Sequence, residues 1–249
     1  MQPHHKNVGI VGMPPLAVIR ELNLHKVTIH DLDTPMIKAD MELTTPYLPR
    51  VYCAILRTVV LNALHLALDA IYIDVGPGKC DCALHVATIL QDMLVIPIFP
   101  TRNEDTVDFG TPFSQSSLDL MQKFERITEG VKLASRPGDP PPICQPTAGF
   151  WGVPPRDFSI LDLFPATTHI YGWTRCMENK TPADHELELV YNPEVPTVFY
   201  AQSFCAKTAL ARHLALQHPH GLYLDSDVTA GGSAKAKIQA FLELSGVEL

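Results

Sequence analysis

Short apolar runs alternate with amphipathic stretches along the whole chain. Val8–Val11, Val27–Leu32, Ile71–Gly76 and Leu94–Phe99 are short and rich in β-branched and aromatic residues, a pattern that predicts buried strands. Ala83–Gln91 and Ser116–Thr128 place apolar residues at helical spacing. In the second half, Thr168–Trp173, Thr197–Gln202 and Gly221–Asp225 read as strands, with helices over Ala206–Gln217 and Ser233–Leu244. Strands alternating with helices of ~10–15 residues predict parallel sheets covered on both faces.

The two halves echo each other. Val8–Pro15 ends in glycine, an apolar residue and two prolines, and Gly149–Pro155 ends the same way. A second strand-like segment follows each, at Val27–Leu32 and Thr168–Trp173. The expected fold is therefore α/β, with two duplicated, doubly wound, Rossmann-like lobes facing a central cleft. Residues 1–135 form the first lobe and 136–249 the second. The proline-rich Arg136–Pro142 is the natural linker. The chief expected difference is an inserted helix at 46–68 in the first lobe.

Composition narrows the function. Hydrophobic residues make up 46% of the 249 and charged residues 18%, enough for a packed core. The net charge is -8 and no Lys/Arg block stands out, which argues against a nucleic-acid partner. The apolar stretch Val51–Leu68 is broken by Arg57, Asn62 and His65, so a buried helix is expected there rather than a membrane span. Met1–Lys6 carries no leader-like apolar run, and the expectation is a reducing, cytoplasmic setting. Six cysteines there are free, catalytic or metal-bound rather than disulfide-bonded.

The cysteines fall in telling places. Cys80 and Cys205 each follow the third strand of a half and precede a helix. In open α/β sheets ligands bind at the carboxyl ends of the strands, where helix N-termini favour thiolates. Cys53 opens the inserted helix and offers a third thiolate. Cys82 begins a helix two residues after Cys80, and Cys176 follows the second strand of the second half; both are candidate cluster ligands. Cys144, in the linker region, reads as incidental. The spacing has neither the CxxC pairs of a zinc ribbon nor a ferredoxin pattern.

Other motifs weigh less. Gly76–Lys79 lacks the spacing of a phosphate-binding loop, and Thr229–Lys235 reads as a flexible loop. His213, His218 and His220 gather near a helix end, where positive charge suits the dipole. Trp151 and Trp173 read as core or cleft wall. Asp81, Arg102 and Arg175 are candidate polar groups near strand ends.

Four segments carry a family resemblance: Leu48–Arg57 around Cys53, Gly78–Asp81 around Cys80, Ser203–Cys205, and Leu222–Glu243. In this order they resemble the 2-hydroxyacyl-CoA dehydratase and benzoyl-CoA reductase subunits and the related double-cubane cluster proteins. The resemblance implies two α/β lobes holding a [4Fe–4S] cluster through Cys53, Cys80 and Cys205. It also implies a related partner subunit in a homo- or hetero-oligomer, an ATP-dependent activator protein that injects a low-potential electron, and a small-molecule or CoA-thioester substrate. The double-cubane branch uses more cysteines, and six here keep it open. The chain is shorter than typical members, and no segment supplies an acyl-CoA pocket. Two other readings stand beside it: a non-catalytic two-lobed module that clamps a small ligand, and a protein with a mononuclear metal site.

Overall fold

A computed structural model of the chain describes residues 5–136, 138–227 and 229–248. The start of the leader reading (1–4), Pro137 of the linker stretch, Val228 of the closing segment and Leu249 lie outside the described residues. The first half runs β1 (Asn7–Val11), α1 (Leu16–Leu24), β2 (Thr28–Asp31), a 3-10 turn at Met41–Thr44, α2 (Ala54–His65), β3 (Ala70–Asp74), α3 (Asp81–Met93), β4 (Ile98–Thr101) and α4 (Leu120–Val131). The second runs β5 (Ala148–Gly152), a 3-10 helix at Phe158–Leu163, β6 (Thr168–Tyr171), α5 (Trp173–Asn179), α6 (His185–Leu189), β7 (Thr197–Gln202), α7 (Thr208–Gln217), β8 (Gly221–Ser226) and α8 (Gly232–Leu244).

The strands form two four-stranded, all-parallel sheets of identical order, β2-β1-β3-β4 and β6-β5-β7-β8. In the first, Val8 pairs with Ala70 and Val11 with Ile73; in the second, Gly149 pairs with Thr197 and Gly152 with Tyr200. Every residue of β3, β5, β6 and β7 is buried, as expected of parallel strands covered on both faces. In each sheet the chain winds one way from the first strand and then the other. The crevice at that reversal, between β1 and β3 and between β5 and β7, opens at the strands' carboxyl ends.

Three expectations need correction. The fourth strand is Ile98–Thr101, not Leu94–Phe99. Leu94 caps α3, and its N–H bonds Leu90 C=O; the unbroken apolar run gave no mark of where the strand begins. Pro100 is tolerated because β4 is an edge strand. The helix expected from Ser116 begins at Leu120, because Ser116 is held in a turn on Phe113 C=O and bridges to Ile143. The helix expected as an insertion peculiar to the first half also has company: α5 and α6 fill the same slot between β6 and β7.

α2 itself is buried along most of its length, polar positions included. Arg57 donates to Thr44 Oγ1 and to the carbonyls of Arg50 and Met41, and Asn62 Nδ2 donates to the carbonyls of Leu32 and Thr34. Those bonds make an interior helix of the apolar stretch. Among the described residues no helix is long and apolar enough to cross a membrane.

The largest core cluster joins both halves. It includes Val8, Ile10 and Tyr72 of the first sheet, Phe124 and Ile127 of α4, and Phe150 and Tyr200 of the second. Phe124 meets Phe150 edge-on at 5.2 Å between ring centres. Two buried lysines reinforce the seam. Lys123 donates to the carbonyls of Ala166 and Thr168, and Lys180 to that of Gly130. Burial pushes both ammonium groups down to about 8. Although α4 precedes the linker in the chain, it packs on α5 and on the 3-10 helix of the second half. We expect Phe124→Ala to cost about 3–5 kcal/mol in urea unfolding, and both halves to be lost in one transition. Two separate transitions would contradict this shared core.

Candidate functional site

The two halves meet around sulfur. Cys80 is the N-cap of α3 and Cys53 the N-cap of α2. Cys205 sits in the turn between β7 and α7, where its N–H bonds Gln202 C=O and its own carbonyl accepts from Thr208. The N–H of Ala54 reaches Ser203 C=O at 3.5 Å, which sets the start of α2 against the loop that carries Cys205. The three thiols line one cavity, together with Asp33, Lys79, Trp173 and Lys207.

The local electrostatics sort the thiols. A hydrogen bond from Cys53 pulls Cys205 down to about 6, against the opposing effect of burial. The Lys207 N–H, and the charges of Lys207 and Lys79, act in the same direction. Cys53, as the donor and with burial added, is pushed far up. Burial and the Cys82 charge raise Cys80, while Lys79 and the Ala83 N–H oppose them. Of the three thiols, Cys205 is the one whose surroundings favour the thiolate. N–H groups from the first turns of α2 and α3, at Ile55, Leu56 and Ala83, favour the charged forms of Cys53 and Cys80.

The other cysteines do not line this cavity. Cys82 hydrogen-bonds Tyr52, whose phenol is pushed up to about 12 by burial and by that bond. Cys176 is buried within α5 with its thiol 3.6 Å from Asp184 C=O, and burial pushes it up to about 12. Cys144 donates to Ser116 C=O at 3.1 Å and stands 3.8 Å from His169 Nε2.

Sequence reasoning missed the cations. Lys79 Nζ lies 5.5 Å and Lys207 Nζ 4.7 Å from the centre of the Trp173 ring, and Lys207 also pairs with Glu188. Lys79 faces Asp33 at 4.0 Å. Burial opposes its charge, but Asp33, Asp74, Cys80 and Asp31 raise it overall. A signal was available: one lysine immediately precedes Cys80 and another stands two residues after Cys205. Trp173 is cavity wall as expected, whereas Trp151 is core, its Nε1 donating to Glu188 C=O. Asp81 and Arg102 are exposed, and Arg175 is half-buried against Thr111 and Tyr171. His218 is not a charged helix terminus: burial holds it below the usual imidazole range, and its Nε2 meets Asn192 C=O.

The backbone is shaped to the same end. Gly78, at φ 80°, touches the second half so closely that a Cβ would come within 1.8 Å of Pro182 O. Gly12, at φ 71°, leaves the space that Lys79 occupies. Phe204 holds φ 61°, rare for an aromatic residue, immediately before Cys205. The Gly76–Lys79 loop thus buries its lysine beside sulfur instead of presenting it to a phosphate.

A second cavity shares Asp33, Ile55, Lys79, Val153 and Trp173 with the first. The repeated glycine–proline loops contribute Gly12 and Met13 from one half, and Val153, Pro154 and Pro155 from the other. Among the described residues no group of three or more His, Cys, Asp or Glu side chains is arranged to hold a metal ion. No family model matches the sequence, and no curated protein matches it.

In metal-free protein we expect iodoacetamide at pH 7 to label Cys205 first, with a rate half-maximal near pH 6, and Cys176 only after unfolding. Peptide mapping checks this. Equal labelling of the two in folded protein would contradict the assignment.

Proposed function

We propose that the protein is the iron–sulfur component of an ATP-driven low-potential reductase or a 2-hydroxyacyl-CoA dehydratase-like system. In this reading the two halves are a duplication, and Cys53, Cys80 and Cys205 hold a [4Fe–4S] cluster in the cleft between them. The observation that carries it is the shared cavity, to which both halves bring thiols at strand ends and helix starts.

The donor set fits the group. A cubane's thiolates each bond a different iron, so they surround a volume rather than converge on one point. That need is compatible with thiols that line a cavity but are not grouped around a single ion. It also weighs against the mononuclear reading. Thiolates on a cluster carry negative charge, and Lys79, Lys207 and the helix-start N–H groups oppose it. Three cysteines leave one iron open. Bound by Cys53, Cys80 and Cys205, such a group would supply one-electron reduction at low potential.

The chain's own residues do the rest. Trp173, Ile55 and Val153 keep water from the sulfur side, and Asp33 holds Lys79 in place. The partners in this reading are a related subunit, an ATP-dependent activator and a small-molecule or CoA-thioester substrate, in a reducing cytoplasm.

A second reading has one specific observation in its favour. Cys53 and Cys205 line the same cavity and shift each other's thiols in opposite directions, Cys205 down and Cys53 up, an arrangement suited to a redox dithiol.

Iron separates the two. Protein purified without oxygen should carry about four iron and four acid-labile sulfide per chain. Cys80→Ala and Cys205→Ala should each lose most of both, while Cys144→Ala keeps them. Iron-free protein from a strictly anaerobic preparation, in which added diamide, itself reduced to the hydrazine, takes the two electrons and protons and joins Cys53 to Cys205 as a disulfide, would overturn the first reading in favour of the second.

A further inference from the structure

The cavity next to the cysteine one is walled mainly by apolar side chains, among them Met13, Ile55, Val131, Phe158 and Trp173. Its charged groups fall at two ends. Toward the cysteines, Lys79 is matched by Asp33. At the other end stands Arg156, which also lines the open outer pocket with Asp31, Thr128 and the ion pair of Glu129 with Lys132.

Arg156 is held but not neutralised. Its backbone N–H donates to Gln202 Oε1 at 3.0 Å, and Gln202 is fixed in turn by Tyr200 and by the carbonyls of Ser226 and Asp227. Its side-chain Nε and Nη1 are buried and find no hydrogen-bond partner among the described residues. Arg57 adds like charge, and Asp227 offsets part of it. Asp31, in the same wall, has its carboxyl pushed up by burial and by the Asp33 charge, which weakens it as a counter-charge. A desolvated guanidinium without a partner is costly, and an incoming anion relieves that cost. A planar guanidinium suits a carboxylate, while a doubly charged phosphate is poorly matched to so apolar a wall.

We propose that this cavity binds a small organic carboxylate, with its charged end on Arg156 and its apolar body lying toward Trp173 and Lys79. This deepens the reading above by naming the class of molecule that would meet the cysteine site. It rests on that reading only for what happens to the ligand afterwards.

The test measures binding of hexanoate, hexanamide and inorganic phosphate to the full chain by tryptophan fluorescence and thermal melting. Hexanoate should bind at least about tenfold tighter than hexanamide and raise the melting temperature. Arg156→Gln should make acid and amide bind alike, and Arg156→Lys should keep part of the preference. The acid–amide comparison on unaltered protein stands even if a variant folds poorly. Equal binding of acid and amide, or no hexanoate binding at all, overturns the proposal. So does phosphate that binds as well as hexanoate, which marks a plain anion site. Iron analysis of the same samples separates the two claims. Iron-free protein that binds hexanoate sinks only the cluster reading, and iron-bearing protein that does not sinks only this one.

Discussion

The first N–H groups of a helix have no partner within the helix, and they draw negative charge to whatever precedes them. Here that constraint acts three times around one space. The starts of α2 and α3 and the turn into α7 each bring a cysteine to the same cavity. The N–H groups of Ile55, Leu56, Ala83 and Lys207 stabilise sulfur anions that burial alone would suppress. Two lysines add to the effect, and the Cys205 thiol is pulled down while those of Cys53 and Cys80 are pushed up.

This arrangement depends on the two sheets being held together. The chain solves that with α4, which leaves the first half and packs on the second. Its Phe124 enters an aromatic group with Phe150 and Phe158, and its Lys123 spends its charge on carbonyls leading into β6. Gly78 makes the closest approach at the site itself, where any larger residue would push Pro182 away. Packing far from sulfur and backbone contact next to it therefore fix the same spacing. Arg156 belongs to this shared space too, on a loop that Gln202 pins at the end of β7.

Much of this was legible in the sequence. The β-branched runs gave the strands, and Thr197–Gln202 was placed to the residue. Cys80 and Cys205 could be matched because both follow a third strand, and Cys53 because it opens an apolar helix. The rest depended on burial and direction, which sequence does not carry. Cys176 and Cys82 sit near strand ends but turn toward Asp184 and Tyr52. The spacing around Lys79 spoke against a phosphate loop but gave no sign that Gly12 would leave room for the lysine to fold inward. Ordinary spacing gave no sign that Arg156 would be left without a partner.

The central claim is that sulfur atoms from the two halves face one another. It can be tested without any cluster. Metal-free protein treated with dibromobimane, a short bridge between neighbouring thiols, should yield linked peptides joining Cys205 to Cys53 or Cys80 after digestion. Bridges confined to Cys80 and Cys82, or no bridge at all in folded protein, would contradict the account.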